Sequence, residues 1–179
     1  VNPVNAAAIL RDMKGLGGEP LGYCNELAIN QLLAMHSVIF RPAERKIWVS
    51  TSPWQCGRFV CYDLDDVFGA DASGIELSSE VIPEDPFVHS RDFAHVLEFK
   101  RLLPVIQKAA RSGRHVPEDS LRHFVSLDSL YFNAYNVAGD CYLSSGRPVQ
   151  AAASYRHALT LPMKPSEYQQ IETKLGRIK

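Results

Sequence analysis

An α+β chain is predicted, with antiparallel strands in its first part and helices in the remainder. Three observations predict it. Between Met35 and Phe68, short β-branched and aromatic runs alternate with proline-containing breaks. From Gly69 to His89 the chain turns small, acidic and proline-rich, with no sustained period. From Ser90 onward apolar residues recur at helical spacing, and the stretch from Ser129 to Pro165 carries tyrosine, alanine and glycine at repeat-like intervals. The expected organisation is a strand-containing region over 1–69, a linker or long loop over 70–89 and a helical tail over 90–179.

At the N-terminal end, Asn2 is a capping residue followed by proline at the first helical position, which predicts a helix from Val4 towards Met13 that Gly15 ends. Gly15 to Gly22 then reads as a loop. Its glycines do not make a phosphate loop, because the segment follows a helix and lacks both the lysine and the strand-to-helix context. Asn25 is placed to cap a short helix from Glu26 to about Ala34. His36 to Phe40 is a strand. Arg41-Pro42-Ala43-Glu44 interrupts it, since proline cannot donate to a ladder, and Lys46 to Ser50 resumes with Ile47, Trp48 and Val49. The two-residue period puts Ile47 and Val49 on one face and Trp48 on the other. After a second break at Thr51 to Gln55, Gly57 to Tyr62 supplies a third strand.

In the second half, Ser90 is placed to cap a helix to roughly Arg111, with Phe93, Val96, Leu97, Leu103 and Ile106 on one face. Pro104 is expected to kink or divide it. Gly113 stops it, and Pro117 opens a shorter helix. Tyr135, Ala138, Gly139, Tyr142, Ala151, Tyr155, Ala158 and Pro162 follow a spacing that resembles one tetratricopeptide repeat over about 132–165, with Tyr135 in the tryptophan position and Ala138 replacing leucine. Such a hairpin would bring Gly139 and Ala158 to the closest approach of two helices. One repeat cannot bury its own apolar face. It is expected to pack on helices near 90–112, 117–126 and 166–177, or on the sheet.

Composition excludes more than it selects. The chain has 179 residues, 46% of them hydrophobic, and a net charge of −1, which offers no electrostatic attraction for nucleic acid or an anionic membrane. No apolar run approaches the ~20 residues that span a bilayer, and the first residues do not form a signal peptide. The four cysteines show no zinc-ligand spacing and read as buried free thiols. No cofactor is expected.

The strand region resembles a known family. His36-Ser37-Val38-Ile39-Phe40, the proline-containing turn, Ile47-Trp48-Val49-Ser50 and then Pro53 to Phe68 are similar to the closing strands of the acyl-coenzyme A:6-aminopenicillanic acid acyltransferase family, or isopenicillin N acyltransferase-like proteins. These are N-terminal-nucleophile hydrolases, relatives of choloylglycine hydrolase. The resemblance extends back through Gly22 to Gln31 and covers roughly the first seventy residues. It implies part of an αββα sandwich. In that family a cysteine, freed by autoproteolysis to become a first residue, uses its own α-amine as base and attacks an amide or thioester. This chain begins with Val1, and no internal cysteine has a free α-amine, so the expectation is a C-terminal fragment of such an amidohydrolase or acyltransferase, inactive alone. Its implied partners are the missing N-terminal part and a small amide or acyl substrate, with a homo-oligomer left open.

Three residues are candidates for a substrate pocket: Asn30, His36 and Trp54. Asn30, with Asn25, has the amide chemistry that orients an acyl oxygen, although a helix cap and an exposed polar face explain them equally. His36 lies at a strand end, where a hydrogen-bonded structural role competes. Trp54 follows proline in a turn, as cavity wall or as aromatic plug. Lys100, Arg101, Arg111 and Arg114 form a mildly basic helical edge that reads as a solvated face. The alternative to the enzyme reading is a helical protein-interaction module whose small sheet is only a platform.

Overall fold

A computed structural model describes residues 2–69 and 78–178. It is α+β, with seven α-helices and a three-stranded antiparallel sheet among the described residues, and no helix in it is long and apolar enough to cross a membrane. The chain forms two compact units, one from 1–13 and 29–90, the other from 14–28 and 91–179.

In the first unit, α1 (Pro3–Leu10) begins where the sequence places its signals. Asn2 Oδ1 accepts the Asn5 N–H at 2.8 Å, and Pro3 occupies the first turn, where a missing donor costs nothing. Strands β1 (Val38–Arg41), β2 (Lys46–Ser50) and β3 (Phe59–Asp63) lie in the order β1-β2-β3, and α2 (Leu64–Phe68) follows. Pro42–Glu44 makes the tight turn between β1 and β2, closed by Arg45 in the left-handed region at φ 51°. The register opposes Ile39 to Trp48 and Trp48 to Cys61, so these three side chains share one face. All three are buried, packed with Phe59, Ala7 of α1 and Ile82. The Trp48 indole N–H donates to the Glu80 carbonyl at 2.8 Å, and Lys46 pairs with Glu80.

The opposite face is also apolar. Val38, Val49 and Val60 form one cross-strand row, and Phe40, Ile47 and Tyr62 the next. Val60 is buried, but Val38, Ile47, Val49 and Tyr62 are only half-covered, and Phe40 is 66% exposed.

Two expectations for the first ninety residues need correction. The helix from Glu26 to Ala34 does not form. Asn25 and Asn30 each accept, through Oδ1, the backbone N–H two residues on, from Leu27 and Leu32 at 3.0 Å. These side-chain turns satisfy donors that a helix would otherwise use, and Leu32 turns left-handed at φ 52°. The expected linker over 70–89 is partly built structure: 70–77 lie outside the described residues, but Phe59 and Ile82 exchange backbone hydrogen bonds of 2.9 and 3.0 Å, and Pro86–His89 forms a turn capped by Asp85.

The second unit is helical: α3 (Arg91–Arg111), α4 (Glu118–Ser126), α5 (Phe132–Ser144), α6 (Pro148–Ala158) and α7 (Pro165–Gly176). Pro104 does not divide α3, which runs through it for 21 residues. The proline is on the exposed side, where water can solvate the carbonyl left without its helical donor. The core combines Phe99 of α3, Leu121 and Phe124 of α4, Ala134 and Ala138 of α5, and Tyr155 of α6. Phe99 and Phe124 stack at 4.8 Å.

Sequence alone assigned Lys14 to Ala28 to the strand region, yet this segment belongs to the helical unit. Three contacts hold it there. Asn25 Nδ2 donates to Pro162 O at 2.9 Å, the Tyr23 N–H donates to Asp128 Oδ1 at 3.3 Å, and a Cβ on Gly22 would lie 2.5 Å from the Tyr131 Cα. Only glycine permits so close a backbone approach.

Candidate functional site

The predicted pocket residues Asn30, His36 and Trp54 all lie in the first unit, around the end of the sheet where β2 turns into β3. Ser50, the last residue of β2, organises that end. Its buried hydroxyl accepts the Ser37 N–H at 2.7 Å and donates to the Trp54 carbonyl at 3.4 Å. It thereby joins the entry to β1, where His36 stands, to the turn that carries Trp54.

That turn runs from Thr51 to Arg58. The Pro53 carbonyl accepts the Cys56 and Gly57 N–H groups at 3.0 and 3.2 Å, and Trp54 is held at φ 46°. A left-handed backbone is costly for a bulky aromatic residue, and such conformations persist only where the surroundings determine them. Here three clamps do so. One is the Ser50 hydroxyl. The second is Arg11, whose guanidinium donates to the carbonyls of Gln55, Gly57 and Pro83 at 3.3, 2.9 and 2.7 Å while lying 5.2 Å above the Phe59 ring. The third is Asn30.

Asn30 is fully buried. Its Nδ2 donates to Cys56 Sγ at 3.3 Å, its Oδ1 accepts Leu32 N–H, and its own backbone N–H donates to the Asp12 carbonyl at 2.8 Å. Both ends of the amide are therefore engaged in holding loop backbone and a thiol. His36 is exposed, and the regular strand begins two residues later, at Val38, than the sequence pattern indicates. Trp54 is half-buried. The structure thus brings Asn30 and Trp54 to one loop system and leaves the His36 side chain at its rim.

Burial pushes the Cys56 thiol up from its ordinary pKa, opposed by the Asn30 hydrogen bond, and pushes Cys61 up to about 11. Neither thiol is free to act as a thiolate at neutral pH. No histidine is hydrogen-bonded to any cysteine or serine hydroxyl at this sheet end, and no group of three or more metal-ligating side chains exists among the described residues. At this sheet end the buried amide of Asn30 and hydroxyl of Ser50 are spent on holding loop backbone and the Cys56 thiol. Ser50 and Arg11 were missed from sequence. A serine ending a strand and an arginine ending a helix carry no local pattern, and their roles arise from contacts up to 72 residues apart.

No family model, curated protein or solved structure matches this chain.

The helical unit holds a second polar assembly. Lys174 of α7 donates to Asn136 Oδ1 and to both oxygens of Asp140 at 2.8–2.9 Å, and the Tyr155 hydroxyl donates to Asp140 Oδ1 at 2.6 Å. Asn133, Asn136 and Asp140 line one cleft of about 310 Å³ with Gln107 and Arg111. Elsewhere in this unit, burial pushes the Asp128 carboxyl up to about 6, against the backbone N–H groups of Tyr23 and Cys24, which favour its charged form. Burial also pushes the Cys24 thiol up to about 11, so this cysteine is no more nucleophilic than the others. Lys100, Arg101, Arg111 and Arg114 stay on the partly or fully exposed surface, as a solvated helical edge does.

Proposed function

We propose that this chain is the C-terminal portion of a cysteine N-terminal-nucleophile amidohydrolase or acyltransferase, in which the first unit supplies one outer part of the αββα sandwich. The observation that carries the reading is the sheet's second face. An antiparallel sheet with one solvated face alternates apolar and polar residues. Here both faces are apolar, one covered by α1 and Ile82 and the other half-bare at Val38, Phe40, Ile47, Val49 and Tyr62. A helix on one face and an apolar second face is the layering of a sheet that must pack on another sheet. The resemblance of His36 to Phe68 to the closing strands of acyltransferase-like proteins agrees with it.

In this reading the nucleophile and its α-amine lie upstream, and this chain contributes strands, the pocket wall around Trp54 and a tetratricopeptide-like tail. The experiment is a turnover assay on an amide or thioester substrate. The 179-residue chain alone should show no acyl-enzyme burst. Co-expression with the polypeptide encoded upstream should restore one that depends on an upstream cysteine. Turnover by the chain alone would refute the reading.

One observation favours the alternative, a helical interaction module. A Cβ on Gly139 would lie 2.5 Å from Tyr155 Cε1, the close helix approach that tetratricopeptide spacing requires, and the carboxamide-lined cleft beside it is suited to extended peptide. The half-bare second apolar face of the sheet favours the first reading, because a mere platform has no need of one.

A further inference from the structure

Residues 14–28 are fastened to the helical unit, while the chain on either side of them, 1–13 and 29–90, belongs to the other unit. The segment has no α-helix or strand of its own. Its first part is open to solvent, with Leu16 almost fully exposed, and only Leu21, Gly22, Asn25 and Ala28 are buried. It is a strap, held at a few points and not by a ladder of backbone bonds. Gly22 lies against the Tyr131 backbone, the Tyr23 hydroxyl donates to Asp92 Oδ2 at 2.7 Å, and Asn25 Nδ2 donates to the Pro162 carbonyl at 2.9 Å.

The remaining fastening is different in kind. The Asp128 carboxylate, 4% exposed, accepts the Tyr23 N–H through Oδ1 at 3.3 Å and also accepts the Cys24 N–H, but its Oδ2 is buried with no hydrogen-bond partner among the described residues. No lysine or arginine pairs with it among these residues. Around it stand the Tyr23 hydroxyl and the Cys24 thiol of the strap. Beside Cys24 are Glu26, Lys100 of α3 and the Tyr131 hydroxyl, and beside Tyr23 is Asp92 of α3. Burial holds the Tyr23 hydroxyl up at about 12 and the Cys24 thiol up at about 11, so neither titrates near neutrality. A buried carboxylate with one oxygen unanswered is costly as a charge and much less so as a neutral acid. Tyr23 and Cys24 lie directly on it, so lifting the strap is the shortest way to hydrate it.

We propose that Asp128 makes the 14–28 strap a pH-sensitive latch, seated when the carboxyl is protonated and lifting more often once it ionises. The latch is independent of the sandwich reading, since every group in it belongs to the helical unit. The sign follows from burial. Seated, the carboxyl takes its proton near pH 6; lifted, it titrates at the ordinary value of 3.8, so between these values only the seated form holds the proton. Raising the pH through this window favours lifting, and the effect levels off above it.

The test is native-state amide exchange of the 179-residue chain, read as protection relative to an unstructured peptide, at Tyr23 and Asn25 in the strap and at Ala138 in α5. From about pH 4.5 to about pH 7.5, protection at Tyr23 and Asn25 should fall roughly tenfold or more while staying below that of Ala138. Asp128→Asn keeps the acceptor for Tyr23 without the charge, and should hold the low-pH level of protection at both pH values. Gly22→Ala, whose methyl group would collide with Tyr131, should strip protection from Tyr23 and Asn25 at both pH values and leave Ala138 protected. Strap protection that is unchanged with pH, a fall that persists in Asp128→Asn, or strap amides that match Ala138 at every pH would each overturn the latch. Loss of Ala138 protection together with the strap's in Gly22→Ala would do so too, since the strap would then have no opening of its own, and that comparison stands even if Asp128→Asn does not fold.

Discussion

Asn30 shows how a buried polar side chain can look catalytic in sequence and serve the fold. Asn30 uses both ends of its amide on Cys56 and Leu32. Asn30→Ala should therefore destabilise the first unit by about 2–3 kcal/mol, because it leaves the Leu32 N–H buried without an acceptor and opens a void. Chemical denaturation of the variant checks this. Asp128 makes a pH prediction. Burial raises its folded pKa to about 6, above the ordinary carboxylate value of 3.8. Between those values the folded state holds the proton and the unfolded state does not, so this group's contribution to stability rises as pH falls from about 7 to about 4, and its burial cost is full above pH 6. Other carboxylates act oppositely: Glu98, held below its ordinary value by His123, loses stabilisation on acidification. The difference between the chain and Asp128→Asn isolates the Asp128 contribution. The variant should be the more stable at pH 7.5 and lose that advantage by pH 4.5, a relative change of about 1–3 kcal/mol.

At the level of elements, the strands and most helices were legible because their signals are local. Proline at 42 and 53 and the two-residue period of Ile47, Trp48 and Val49 locate the hairpins, and Asn2-Pro3 and Pro117 mark helix starts. The loop system around Trp54 was not legible in the same way. Arg11 and Ser50 act through tertiary contacts, and the placement of Lys14 to Ala28 depends on Gly22 meeting Tyr131, 109 positions away. Where sequence failed locally, at Glu26 to Ala34, two asparagines had outcompeted the helix for backbone donors. The α5–α6 hairpin makes its own prediction. Because the Gly139 position already abuts the Tyr155 ring, Gly139→Leu should destabilise the helical unit by ~1–3 kcal/mol or more through overpacking, whereas Gln150→Lys, on the exposed side of α6, should stay within about ±0.5 kcal/mol. A thermal scan of the two variants distinguishes them. One hairpin cannot stand alone, so the loss should appear in the transition that also unfolds α3.

For the whole molecule, the central claim is that a sheet apolar on both faces belongs to a larger layered enzyme whose nucleophile lies elsewhere in the polypeptide. None of Cys24, Cys56, Cys61 or Cys141 fills that role, since all four thiols are raised by burial and none carries a free α-amine. The most direct measurement is the mass and N-terminal sequence of the mature product of the complete gene. The account predicts a processed polypeptide whose new first residue is a cysteine upstream of Val1, still associated with the segment that contains Met35 to Phe68. An unprocessed product, or a mature chain whose first residue is not a nucleophile, would contradict it.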